Sequence, residues 1–487
     1  MNDRYDDFVA YAQQHFEEGL IRGGFIETAQ GWRGAISRAK GTTDVLISLE
    51  GDFPFQPPSV TPIDPDAVPW SWHRELSGSL CLVAEDDHGG LWWTEAVPFL
   101  EHVTAWFEQS DNGWPEDRPD LDLDRYFHPS DDTRAYLYGE LTSRNNGFIR
   151  FHPSGNNTMR MGSVAAPKKS TKSAKYRIGY AAEIGDLDMP PRTWADLSAL
   201  IDPNTNLDRR IHRHEVTVVM LTYRRGDHIG TITLEVFPTK DGGIAARRLR
   251  SAADTQAARS ARAGLSAVKL QGCRVAIVGL GALGSFVADI LSRSGISYLT
   301  LVDHDIVLPG NVIRHLVGPD AVGLPKVEAV KRYIVGRRQL QAASIATIGN
   351  RLTGGKLSAE LIQAHDLVVN ATADFTTTAL LHVTAEALEK QVVSTALQYD
   401  GATYRIDILP PLGDAAPLPS VAENVPHIDD LAFESGCGSP ISPTPPGAVI
   451  EAAAATARHA IGLLIDQPLH PAGEVRHLTE TDKRTPQ

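Results

Sequence analysis

Cysteine is scarce: Cys81, Cys273 and Cys437 are the three in 487 residues. Their number and spacing exclude a disulfide framework and a four-ligand zinc site, and suit a reduced, cytoplasmic setting. Positive charge is short as well. Forty-six Lys and Arg against 60 Asp and Glu leave a formal net charge of -14, which argues against a general nucleic-acid binder. No stretch reaches the about 18 uninterrupted apolar residues of a membrane helix. The opening "MNDRYDDFVAYAQQ" is acidic and lacks the apolar run of a signal peptide. The expectation is a cytoplasmic chain with no membrane partner, long enough for two or three domains.

Composition changes along the chain. Seven of the eight tryptophans lie before residue 115 and none follows Trp194. The spacing of Phe8, Ala12 and Phe16 predicts a helix over Asp6 to Leu20. Strand-like runs "GWRGAISR" and "TDVLISLEG", a proline-rich turn and a helical pattern from Val97 to Phe107 complete a small α+β unit, residues 1–125. Residues 126–250 form a middle α+β region, with strands expected at "HEVTVVMLTY" and "TITLEVFP", a helix near Trp194 to Leu200, and no chemical motif. A basic run at 167–177 reads as a solvated loop. From residue 251 to 487, strands alternating with helical patterns predict a doubly wound, Rossmann-like α/β domain.

That last region carries a glycine loop. "RVAIVG" is a buried strand, and "GLGALG" sets Gly279, Gly281 and Gly284 at the turn into a helix expected near Ser285. Glycines there let a phosphate approach peptide N–H groups at a helix N-terminus. Asp303 closes the next strand, placed to accept from ribose hydroxyls. These features suit a dinucleotide or ATP equally. Asn311, Arg314 and Lys326 tip the choice, since a triphosphate benefits from such donors. "HDLVVNATAD" is read as a strand ending at Asp374, a candidate magnesium ligand. The cofactors expected are ATP and Mg2+.

With those residues in place, residues 251 to 465 resemble the ThiF or MoeB family of adenylylating domains shared by ubiquitin-activating enzymes and thiamine and molybdopterin pathway proteins. The resemblance implies activation of a protein's C-terminal glycine carboxylate as an acyl adenylate. It also implies a homodimer, with Arg259 or Arg262 reaching the partner's nucleotide. Cys437, in "ESGCGSPISPTPPG" ahead of a helix, stands where the activating branch captures the acyl group as a thioester.

Cys81 belongs to a second pattern. Pro54 to Pro58 supply a P-x-x-P-P turn, Gly78 to Leu82 a G-x-x-C-L cysteine, and Trp92 or Trp93 a tryptophan before a helix. In that order they resemble ubiquitin-conjugating enzymes, which implies that Cys81 carries an acyl group to an amine. The family's His-Pro-Asn element reads His73-Arg74-Glu75 here. The two resemblances together imply a fused bacterial activating and conjugating enzyme, like those of anti-phage CBASS or ubiquitin-like operons. Its partners would be a ubiquitin-like protein or a cGAS-like nucleotidyltransferase with a C-terminal glycine tail, and a lysine-bearing acceptor. The alternatives are a sulfur-carrier activator without conjugation and a dinucleotide-dependent oxidoreductase.

Overall fold

The computed structural model describes residues 3–38, 40–83, 90–115, 121–140, 146–163, 176–337, 341–419 and 443–478. The chain divides into two compact units, Met1–Thr255 and Gln256–Gln487. Cys437 lies outside the described residues, as does most of the basic run at 167–177.

The first unit opens with α1 (Asp3–Arg22), whose Ala12, Phe16 and Leu20, four residues apart, are buried on one face. Phe8 does not join them. It is 47% exposed and leans on Phe55 of the proline-rich turn, ring centroids 6.1 Å apart. Strands β1 (Ile26–Thr28), β2 (Gly31–Arg38), β3 (Gly41–Ser48) and β4 (Ser59–Pro62) form an antiparallel meander in that order. Alternation turns Trp32, Ile36, Val45, Ile47 and Val60 inward. Helix α2 (Ala96–Asp111) covers them with Phe99, Val103, Trp106 and Phe107.

A second sheet follows in the same unit: β5 (Ala135–Tyr138), β6 (Gly147–Pro153), β7 (Thr158–Ser163), β8 (Arg177–Asp186), β9 (Val218–Arg225), β10 (His228–Pro238), β11 (Ile244–Arg248) and β12 (Ser251–Ala253), in the order β11-β10-β9-β8-β6-β7-β5-β12. Arg177, from the end of the basic run, is bonded within this region to Asp132 and Glu235. The core of this sheet reaches into the earlier region. Trp72 is buried in it, and its indole donates to the Asp188 carbonyl at 3.1 Å. Trp70 donates to the Pro190 carbonyl at 2.8 Å, and the Arg225 guanidinium lies 4.3 Å from the Trp72 ring centre. Such cation–aromatic contacts strengthen where water is excluded.

In the second unit, β13 (Arg274–Val278), β14 (Tyr298–Val302), β15 (Ile345–Ile348), β16 (Leu367–Asn370) and β17 (Val392–Gln398) are parallel; β18 (Thr403–Leu409) and β19 (Gly473–His477) extend the sheet antiparallel. The order β15-β14-β13-β16-β17-β18-β19 reverses direction between β13 and β16. In open α/β sheets that reversal leaves a crevice at the carboxyl ends of the strands. Strands buried on both faces read as continuous apolar runs, and "RVAIV" is one, with Val275 to Val278 all buried. Helices Ala282–Arg293 and Pro446–Leu464 pack on one face, Gly355–Ala364 and Phe375–Ala387 on the other. Among the described residues no helix is long and apolar enough to cross a membrane.

Candidate functional site

The crevice at the switch point is where the glycine loop lies. Gly279 has φ +87°, and a Cβ there would stand 2.8 Å from the Thr372 amide nitrogen, so the loop closes directly on the segment after β16. Gly284 is one turn inside the helix rather than before it. The helix starts at Ala282, three residues earlier than expected, because Gly281 serves as its N-cap, and a Cβ on Gly284 would meet the Gly279 carbonyl at 1.8 Å. Gly281 differs: a Cβ there meets nothing within 4 Å. Two glycines therefore shape the loop, and the third leaves room beside the cleft.

The cleft, about 210 Å³, is lined by Gly279, Gly281, Asp303, Lys326, Arg351 and Asp374 among others. Asp303 is buried and accepts from two backbone amides, Leu280 at 2.6 Å and Asp305 at 2.8 Å. It thus braces the glycine loop as well as facing the cleft. Lys326 donates to Asp305 at 3.0 Å with its side chain 11% exposed. Asp374 is not at a strand end. β16 stops at Asn370, whose buried amide bonds Thr378 and Ser394 and whose carbonyl accepts from Thr372, drawing the chain into a turn. Asp374 is the N-cap of the following helix, accepting from the Thr377 amide at 2.9 Å and hydroxyl at 2.6 Å. The Thr377 bonds hold its carboxyl below the usual carboxylate range, so it is anionic at neutral pH.

Asn311 and Arg314 are not brought to the cleft wall. Asn311 lies on a short turn, Pro309–Asn311, where its side-chain carbonyl accepts from the Leu308 amide at 2.9 Å. Arg314, half-buried, follows that turn. His315 holds this segment to the glycine loop. Its Nδ1 accepts from Val317, so its Nε2–H donates to the Leu280 carbonyl at 2.7 Å. Neither His315 nor Arg351 stood out in sequence: a lone His or Arg in a loop carries no pattern. A larger cavity, about 650 Å³ and lined by Cys273, Asp366 and Lys390 among others, opens at the amino ends of β13 and β16. It lies at the wrong edge of the sheet for a nucleotide.

The residues suit ATP. Backbone amides at a 12-residue helix's N-terminus, Lys326 and Arg351 can meet phosphate oxygens, while Asp303 can meet ribose hydroxyls. Magnesium would find carboxylate oxygens at Asp374 and across the Asp303–His304–Asp305 group, whose ligand atoms lie within 4.8 Å of one another.

Cys81 sits on a tight hairpin. Its amide donates to the His73 carbonyl at 2.9 Å, and the Glu75 amide donates to the Ser79 carbonyl at 2.8 Å. The buried Arg74 fills the inside of the turn, donating to the carbonyls of Gly78 and Val68. The His73 ring is stacked on Trp114, centroids 3.6 Å apart, which gives it a packing role. Trp93, the buried member of the Trp pair, donates to the Pro54 carbonyl at 2.8 Å and ties the proline turn to α2. Cys81 is half-buried. Burial pushes its thiol up, and the Arg125 guanidinium beside it pulls the other way.

A glycine-turned, cation-bearing cleft at the switch point of a parallel sheet defines a nucleotide-binding α/β domain. Residues 254–438 match the ThiF family, and the chain carries a ThiF-family domain there. It is similar to the uncharacterised protein y4qC of Sinorhizobium fredii, 39% identical over 119 residues, 22% of this chain and 20% of that protein. It is also similar to the molybdopterin-synthase adenylyltransferase of Escherichia coli, 38% identical over 104 residues, 21% of this chain and 41% of that enzyme. A third relative is the ubiquitin-like modifier-activating enzyme 5 of Drosophila ananassae, 32% identical over 165 residues, 31% of this chain and 41% of that enzyme. The chain thus spans between a fifth and about two fifths of these relatives' lengths.

Proposed function

We propose that the second unit adenylates the C-terminal carboxylate of a small tailed protein, and that the acyl group passes to Cys81 and then to an amine. The observation that carries the first step is the cleft itself: Gly279, Gly281, Asp303, Lys326, Arg351 and Asp374 meet at one switch point inside the ThiF-matched region. A carboxylate is a poor electrophile. Attack on the α-phosphate adds negative charge that Lys326 and Arg351 can offset, and magnesium at Asp374 would supply further charge neutralisation. Lys326 is held by Asp305 in the resting protein, so the ammonium is already positioned at the phosphate end. The names of the relatives, an adenylyltransferase and a ubiquitin-like modifier-activating enzyme, support this substrate class.

Transfer onward is supported by the first unit. Trp93 is bonded to the Pro54 carbonyl of the proline turn, and the hairpin is tied through the Leu80 amide to the Val60 carbonyl and through the Cys81 amide to the His73 carbonyl, which supports the conjugating-enzyme reading. Cys437 is the intermediate carrier in this reading, a lysine the acceptor, and a ubiquitin-like protein or a tailed cGAS-like nucleotidyltransferase the substrate. Anti-phage defence rests on the order of the two regions. Homodimerisation is supported by Leu265 and Val268, fully and largely exposed beside the glycine strand. A second reading, carrier activation without conjugation, is favoured by the molybdopterin-synthase adenylyltransferase relative.

ATP–pyrophosphate exchange on the full chain tests the first step. With a glycine-tailed protein present, exchange should appear, survive Cys81→Ala, and fall at least tenfold in Lys326→Ala, the loss of one charged hydrogen bond. Exchange that ignores Lys326 contradicts the assignment of the cleft.

A further inference from the structure

Conjugation chemistry asks for help at the sulfur, and the Asn expected two positions after the His of the His-Pro-Asn element is replaced by Glu75. The structure brings a different group to that place. Arg125, on the short turn Leu123–Tyr126, donates to the Glu75 carboxylate at 3.0 Å and to Asp122 at 3.0 Å. Glu75 is 50 positions away in sequence but is set beside Cys81 by the hairpin's own backbone bonds, Glu75 to Ser79 and Cys81 to His73. The turn carrying Arg125 is fastened to the same hairpin, since the Tyr126 hydroxyl donates to the Trp72 carbonyl at 2.7 Å. The guanidinium is three-quarters buried, its side chain 23% exposed. Its Nε is a buried donor with no hydrogen-bond acceptor among the described residues.

From this geometry we infer that Arg125 is the cation that stabilises the Cys81 thiolate as acyl transfer makes and breaks its carbon–sulfur bond, with the Glu75 carboxylate as the charge that opposes it. The inference rests on the reading of Cys81 as an acyl carrier. On loading, the Cys81 thiol gives up its proton to solvent or to the departing group. Its sulfur attacks the acyl carbon, a C–S bond forms, and the donor's C–S or C–O bond breaks with its electron pair. On discharge an amine nitrogen attacks that carbon, the C–N bond forms, and Cys81 leaves as a thiolate while the amine's proton goes to solvent. Arg125 stays protonated throughout. A fixed cation beside sulfur favours the anion in both steps, and the low-dielectric surroundings make it count for more than it would in water. The residues after Leu121, which showed no motif in sequence, thereby become part of the Cys81 site.

The groups facing the thiol are the Arg125 guanidinium, the Glu75 carboxylate and the Tyr126 phenol, with Asp122 behind Arg125. Burial raises the thiol, Arg125 lowers it and Glu75 raises it. The test is the pH profile of iodoacetamide alkylation at Cys81, followed by peptide mass spectrometry on the full-length protein without ATP or any acyl donor. Arg125→Gln should move the midpoint up and slow alkylation near neutral pH about tenfold, the effect of one pKa unit. Arg125→Lys should restore most of the rate, and Glu75→Gln should move the midpoint down. If Arg125→Gln does not fold, Arg125→Lys and Glu75→Gln still decide. An unchanged midpoint in the Arg125 variants, or a Glu75→Gln shift in the same direction as Arg125→Gln, overturns the inference. Because no acyl donor is used, a profile that moves as stated while Cys81 never accepts an acyl group removes the carrier reading and leaves the Arg125–thiolate pairing standing.

Discussion

The nucleotide cleft and the Cys81 hairpin are built by opposite means. In the cleft, backbone does most of the shaping: Gly279 closes on Thr372, Gly284 packs under the Gly279 carbonyl, and Asp303 bonds two amides. Around Cys81, long side chains from distant segments do it: Trp72 and Trp70 reach into the neighbouring sheet, and Arg125 reaches back. A backbone site is written in a few consecutive residues. A side-chain site is written across the fold and changes when any one anchor is lost.

The largest effect should come from the anchors. Trp72→Ala removes a buried aromatic that ties both sheets of the first unit, at a cost of about 3–5 kcal/mol. It should lower the melting temperature of the full chain and change the alkylation rate of Cys81 while ATP binding stays intact. Equal loss of ATP binding would show that the two sites are not independently built. In the cleft, Gly284→Ala places a methyl against the Gly279 carbonyl and should cost about 1–3 kcal/mol as well as abolish ATP binding. Gly281→Ala meets open space and should leave the fold unchanged, so paired melting curves for the two variants sharpen the division of labour among the glycines.

Smaller effects concern charge. Lys326→Ala should weaken ATP binding about tenfold without altering the melting temperature much, since its partner Asp305 is more than half exposed. Asp305→Asn removes the carboxylate that holds the Lys326 ammonium and one oxygen donor offered to magnesium, and titration calorimetry should show ATP binding weaker than in the parent chain, though less so than in Lys326→Ala. The mildest effect is acid sensitivity. Burial holds His315, His365 and His459 below the ordinary histidine value. The unfolded chain therefore takes up protons first as pH falls, and the stability tied to these residues is complete above about pH 6.5 and lost progressively below it. Melting curves from pH 7.5 down to 5 would read this as a falling midpoint; a midpoint independent of pH there would contradict it.

How much could be read beforehand follows the same division. The strand "RVAIV", the glycine turn, Asp303 and Lys326 were legible because each signal lies within a few residues of the next and depends on backbone geometry. Helix starts were less so: Gly281 takes the cap, and Asp374 caps a helix where a strand end was expected, since Asn370 bends the chain four residues sooner. Asn311 and Arg314 matched a pattern yet stand off the cleft wall, because the Pro309–Asn311 turn spends the Asn on its own backbone. Arg125 and Arg351 were invisible, as their partners are brought near only by the fold. The tryptophans hinted at a boundary near residue 125. Trp72 is buried in the core of the second sheet and Trp70 packs against it, within one compact unit.

The most direct test is a non-reducing intact-mass measurement of the full-length enzyme incubated with ATP, magnesium and a glycine-tailed protein, beside Cys81→Ala and Cys437→Ala. The account predicts a thiol-sensitive adduct on Cys81 that needs ATP and is lost in Cys437→Ala, while Cys81→Ala leaves the adduct on Cys437. An adenylated substrate that accumulates while Cys81 remains unmodified would contradict it and establish a carrier-activating enzyme in its place.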